Sequence, residues 1–259
     1  MLGWFAYLWF TPIPAPYQYQ LISEGDSKKF PQMDLDAWPD LKLSQYKVQA
    51  EGIDKPIAEL IVAQQGDGPR VLTYWKNSTN EILYNLDRKP SELSALAAVI
   101  GKHAPKDALI LSWWDTSRQI KLLTGHDTLF TSHLNEPLMV PVAWLEQSKA
   151  IMAYENQFWE SSANSKEQEQ FKRFSQALAA SAEEGVAQLR ELIGSSREAY
   201  LIVHVTDLYK LGLMYPDKIG VAYQNFPLTG NMHGMINHMK VQLKENDFNT
   251  YTLQSLSDE

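Results

Sequence analysis

No cysteine occurs among the 259 residues. That absence removes disulfides, thiolate-bound zinc, iron–sulfur clusters and CxxCH-attached haem, so any redox centre has to be borrowed or held by other ligands. Positive charge is also short: 23 Lys and Arg stand against 31 Asp and Glu, a net charge of −8. Phosphate recognition normally needs a basic surface, so no nucleic-acid partner is expected, and a basic protein is the more natural one. There is no GxSxG elbow, no HExxH pair and no Gly-rich phosphate loop. The common routes to nucleophile-elbow hydrolysis, zinc proteolysis and nucleotide binding are therefore missing. Internal repeats, low-complexity tracts and interior apolar runs of membrane-spanning length are absent as well.

What is present reads as a folded protein. The composition, 44% hydrophobic and 21% charged with 13 Gly and 13 Pro, is ordinary for a globular unit able to bury a substantial core. The first ten residues, MLGWFAYLWF, carry no charge and run into TPIPAP. As a helix they span about 15 Å, half of the roughly 30 Å hydrocarbon core. Trp4, Tyr7 and Trp9 suit a membrane interface, and no basic n-region marks a secretory signal. Residues 11–27 contain Glu24 and Asp26 but no Lys or Arg, which places this flank outside the cytoplasm. The expectation is a truncated transmembrane helix holding a domain on the periplasmic side of the inner membrane by a single N-terminal anchor. The alternative is a hydrophobic first strand or an arm docked on the core.

The boundaries that follow are a hydrophobic anchor remnant at 1–16, an extended lead-in at 17–44 and an α/β periplasmic domain at 45–259. YKVQAEG, AELIVAQQ and RVLTYWKN predict a three-strand meander, with QGDGP as a strong turn. Ser91 is a candidate N-cap for a helix carrying Leu93, Leu96, Ala97 and Ile100. Leu109–Leu111 predicts a strand covered on both faces, followed by a helix capped by Thr116 and ended by Gly125. HDTLF suggests a short strand, and LMVPVAW an apolar segment interrupted by Pro141. Residues 165–193 show the clearest helical period, with Phe171, Phe174 and Leu178, then Val186, Leu189 and Leu192, and a break near Gly185. YLIVHV is a second strand leading through Thr206 and Asp207 into a helix. IGVAYQNF, MHGMINHMKVQLKEN and FNTYTLQSL predict strand, helix and strand. The fold class is α/β, a mixed sheet with flanking helices.

Asp115 and Asp207 each fall at the carboxyl end of an apolar strand, the edge where open α/β sheets bind ligands. Two acids there suit an Asp/His cleft, with His204 and His233 as acid/base candidates; equally, both aspartates suit helix capping. Trp113 and Trp114 point to opposite sides of a strand, so at least one serves the core. Together with Asp115 and Arg118 they form a candidate binding corner. An exposed Arg118–Asp115 pair would contribute only about 0.5 kcal/mol. Met232, His233, Met235, His238 and Met239 offer thioether and imidazole ligands, which suit copper where cysteine is absent. The five-residue spacing of the histidines is awkward for one helix face, and methionines also simply pack cores.

Beyond these readings the chain resembles the hydroxylamine oxidation protein HaoB family. PYQYQLISEG, HAPKDALILSWWDTSRQIKLLTGHDTLF, AYLIVHVTDLYKLG and YPDKIGVAYQNFPLTGNMHGMINHMK carry the resemblance, which spans most of the chain. It implies a periplasmic domain on an N-terminal membrane helix and a part in nitrification, where a multihaem enzyme oxidises hydroxylamine. The implied partners are hydroxylamine oxidoreductase or its associated membrane cytochromes. Without a CxxCH of its own the chain is expected to be a non-catalytic accessory rather than an electron carrier. The WWD triplet is also similar to the WWDYG motif of oligosaccharyltransferase catalytic subunits, which implies glycan or peptide binding. Here Thr116 and Ser117 replace its Tyr-Gly.

Overall fold

The computed structural model describes residues 14–78, 89–134, 140–160, 165–194, 197–220 and 232–248. The apolar N-terminal segment, most of IGVAYQNF and most of FNTYTLQSL lie outside these residues, so those expectations are not addressed.

The first half forms a four-stranded antiparallel meander: β1 (Tyr17–Gly25), β2 (Leu41–Ala50), β3 (Ala58–Gln65) and β4 (Val71–Asn77), hydrogen-bonded in that order. β3 reads AELIVAQQ because both of its faces are covered. Ala58, Leu60 and Val62 pack with Val48 and Trp159 on one side; Ile61 and Ala63 pack with Leu41, Leu43, Leu93, Ala97 and Leu123 on the other. The period of two thus sorts a nearly continuous apolar run into two cores. Gly66, at φ +53°, begins the turn into β4, a conformation L side chains rarely take. The stretch read as an extended lead-in supplies β1 as the edge strand. It also supplies two 3-10 turns, Ser27–Lys29 and Pro31–Met33, that bury Phe30, Met33 and Leu35 beneath the sheet.

The second sheet is parallel and small. β5 (Leu109–Leu111), buried at every residue, runs between β6 (Asp127–Thr128) and β7 (Ala199–Leu201). The described strands therefore form two sheets, an antiparallel one and a parallel one, instead of a single mixed sheet. The hairpin-linked strands pair with their sequence neighbours, while the crossover-linked ones pair across helices. α1 (Glu92–His103) and α2 (Trp114–Thr124) flank one side, with Ile100, Ile110 and Ile120 in contact. On the other side α4 (Ser165–Leu178) and α6 (Val205–Met214) bring Phe171, Phe174 and Leu211 against Leu109, Leu111, Trp113 and Phe130. α3 (Ser148–Phe158) covers the outer face of the meander, following a 3-10 turn at Val142–Gln147 that starts just after Pro141, the residue read as interrupting LMVPVAW.

α2 joins the two layers. Its Leu123 lies in the meander core, its carbonyl accepts the Trp38 indole at 2.6 Å, and Gln119 donates to the Leu72 carbonyl at 2.6 Å. Two sequence expectations shift here. α2 begins at Trp114, with Trp113 in the N-cap position, so Thr116 does not cap it; Asp115 sits inside the first turn and accepts from the Thr116 amide at 2.7 Å. The helical period over 165–193 is broken at 179–181, not at Gly185. There Ser181 caps α5 (Ala182–Ile193) by accepting from the Glu184 amide. Gly185 has a different duty: a Cβ there would lie 2.5 Å from the Ala177 carbonyl, so the residue lets α5 abut the end of α4.

Candidate functional site at the strand ends

β5 and β7 are parallel neighbours, Leu111 opposite Leu201, so the helices that follow them start from one rim. Each helix carries an aspartate in its first turn, where negative charge complements the helix dipole. Lys210 joins them: its Nζ lies 3.2 Å from Asp115 Oδ2 and 3.2 Å from Asp207 Oδ1. The same ammonium sits 5.0 Å from the centroid of the Trp113 ring, an attraction that grows as water is excluded. Trp113 is itself buried and meets Phe171 edge-on. It thus serves the core and floors the ion pair at once.

Both aspartates have structural duties. Asp207, whose side chain is 3% exposed, accepts from the His204 backbone N–H at 2.9 Å, and His204 Nδ1 accepts from the Thr206 amide at 3.2 Å. These bonds form a reciprocal capping box with histidine in the cap position. Because Nδ1 is an acceptor, the proton of a neutral imidazole sits on Nε2, which faces Glu92 Oε2 at 3.7 Å. The rim therefore holds a lysine between two carboxylates, with a histidine at the start of the same helix. Such a group, one ammonium against two carboxylates, can orient a polar or cationic group. Lys210 escaped the sequence reading, although its place three residues after Asp207 was a usable signal.

Arg118 does not pair with Asp115, which turns to Lys210. The guanidinium is buried at 5% exposure, donates through Nη2 to the Arg70 carbonyl at 2.6 Å and lies 3.1 Å from His133 Nδ1 through Nη1. Burial pulls its pKa down to about 10, partly opposed by Asp115 and Glu167, so it stays charged at neutral pH. Burial, then the neighbouring guanidinium, hold the His133 pKa down to about 3. An arginine can only donate, so His133 Nδ1 accepts and the ring is neutral. His133 is stacked on Trp159 at 4.7 Å and meets Trp114 edge-on at 4.7 Å. Trp114 thus meets His133 while packing against the same core as Trp113.

A third polar centre lies under the meander. Glu155, 3% exposed, accepts from the Tyr17 hydroxyl at 2.5 Å, the Tyr19 hydroxyl at 2.8 Å and the Trp159 indole at 2.7 Å. Burial and the adjacent carboxylate both raise the tyrosine pKa values, so these hydroxyls stay protonated. No sequence signal pointed to Glu155 or His133, whose partners lie far away in the chain.

The methionine- and histidine-rich segment forms α7 (Met232–Glu245). His233 and His238 are exposed, Met235 is half-buried and Met239 is buried; the Met232 side chain is outside the described residues. Five residues turn a helix through about 140° beyond a full revolution, so the two imidazoles diverge. Among the described residues no group of three or more His, Asp or Glu side chains is arranged to hold a metal ion. His233 is not brought to the Asp115–Asp207 rim by any described contact.

A family model described as HaoA-associated protein HaoB matches residues 1–259, the whole chain. No curated protein and no solved structure matches.

Proposed function

The chain belongs to the family of HaoA-associated HaoB proteins, and from that premise we propose that it is a non-catalytic, membrane-anchored periplasmic accessory which binds hydroxylamine oxidoreductase. The observation that carries this reading is the family match over every residue, since the family is described by its association with HaoA. HaoA, the hydroxylamine oxidoreductase, ties the chain to hydroxylamine oxidation. The chemistry is consistent with an accessory role. A chain without cysteine carries no c-type haem of its own. Asp115, Asp207 and His204 are engaged in caps and in the Lys210 bridge. The net charge of −8 favours encounter with a basic surface, which raises association rates more than affinity.

The anchor rests on the uncharged, aromatic first ten residues. Among the described residues no helix is long and apolar enough to cross a membrane. The experiment is co-purification of the tagged chain from detergent-solubilised membranes. Recovery of the multihaem enzyme supports the reading, and a tagged chain that brings down no haem protein contradicts it.

A second reading has one observation in its favour, the convergence of Asp115 and Asp207 on Lys210 at a shared rim. It makes the chain an enzyme in its own right, with the Lys210-bridged carboxylates meeting a polar or cationic substrate group. It requires a turnover by the isolated chain that Lys210→Met abolishes while the fold persists. An inert chain contradicts it.

A further inference from the structure

Arg118 sits one helical turn beyond Asp115, and among the described residues no carboxylate forms a close ion pair with its guanidinium, although Asp115 and Glu167 act on it from farther away. Asp115 is turned to Lys210 at 3.2 Å. Glu167, the other nearby carboxylate, accepts from the Thr131 hydroxyl at 2.8 Å and the Ser132 amide at 2.9 Å. The partners of the guanidinium are a neutral ring nitrogen and a carbonyl, and its buried Nε–H has no acceptor among the described residues. A buried cation normally comes with a counter-charge and a full set of acceptors.

The same residue lines a cavity of about 180 Å³ between α2 and the β3–β4 hairpin. Lys121 and Leu122 of α2, Pro69 and Val71 of the hairpin, and Thr131 complete most of the wall. Arg118, Lys121 and Leu122 stand at i, i+3 and i+4, so one face of α2 presents a buried cation, a cation at the mouth and an apolar surface. Each Nη nitrogen carries a second N–H besides the one directed to His133 or Arg70.

We propose that this cavity binds a small organic carboxylate, its head group set against Arg118 with Lys121 at the mouth, and its carbon chain on Pro69, Val71 and Leu122. A monoanion matches one buried guanidinium, because Lys121 already leans on Asp127 at 3.6 Å and is half exposed. A dianionic phosphate would bring surplus charge to a wall that is largely carbon. The site is separate from the Lys210 rim and does not depend on the association with HaoA.

The test is titration of the full chain with sodium butyrate, butyramide and inorganic phosphate, followed by amide chemical shifts and calorimetry. The expected result is saturable butyrate binding that moves the Gly68 and Thr131 amides, with butyramide and phosphate each weaker by about tenfold or more. Arg118→Met abolishes binding, and Lys121→Gln weakens it about threefold. Lys121 is exposed enough that its variant folds whatever happens to Arg118→Met. Equal affinity for butyrate and butyramide, tighter binding of phosphate, unchanged affinity in Lys121→Gln, or no butyrate binding up to about 50 mM would each overturn the proposal.

Discussion

Glu155 and Arg118 are buried to nearly the same degree, 3% and 5% exposed, in opposite company. Around the carboxylate, two tyrosine hydroxyls and an indole N–H converge, and both oxygens are used. The guanidinium has two neutral acceptors, one N–H with none, and a cavity alongside. A buried charge is tolerated when local dipoles replace the water it lost. Glu155 meets that condition and ties β1 to α3 and the turn after it. Arg118 meets it in part; no carboxylate among the described residues pairs with it closely, and the cavity it lines is the physical ground for assigning it a ligand.

The contrast can be broken experimentally. Glu155→Ala strands three buried donors at once, so it should destabilise the fold by about 3–5 kcal/mol in urea unfolding. A loss below about 1 kcal/mol would show that the tyrosines repartner. Lys210→Met leaves Asp115 and the buried Asp207 facing each other without their shared cation. The expected cost is about 2–3 kcal/mol, read by the same unfolding curves; a neutral outcome would mean that the capping bonds alone hold the rim.

Acidification sharpens the comparison from the arginine side. His133 has a folded pKa of about 3, below the usual value for an unfolded histidine. The unfolded chain therefore binds the extra proton first. The stability due to neutral His133 is complete above about pH 6.5 and falls as pH drops toward 3, by up to about 1.4 kcal/mol per pH unit. His133→Asn should remove that slope, which pH-dependent unfolding of both proteins measures; identical slopes would place His133 in contact with water. Smallest of all is Arg118→Met. It deletes an incompletely satisfied cation in favour of an apolar chain of similar length, so stability should change by less than about 1 kcal/mol. A loss as large as that of Glu155→Ala would make Arg118 a structural anchor.

The two sheets also differ in how much of them the sequence discloses. The meander was readable because its signals are local: QGDGP between AELIVAQQ and RVLTYWKN marks a hairpin, and adjacent strands pair. β5 and β7 were recognisable one by one as apolar runs ending at Asp115 and near Asp207. That they are neighbours follows from a pairing 90 residues apart, Leu111 with Leu201, for which no local signal exists. The same distance hid the buried polar centres. Glu155 is joined to Tyr17 across 138 positions and Arg118 to the Arg70 carbonyl across 48. Nothing in the pattern around Arg118 separates a buried guanidinium from a surface one paired with Asp115. Lys210 is the opposite case, because its spacing from Asp207 was on the page and only its second partner was not.

The functional account rests on a physical association between this chain and hydroxylamine oxidoreductase, and velocity sedimentation of the two purified proteins at low ionic strength reads it directly. The account predicts that haem absorbance moves to a faster boundary when the chain is added, and returns to its own position as salt screens the acidic surface. Haem sedimenting at the same rate with and without the chain, across the whole range of salt, would contradict it.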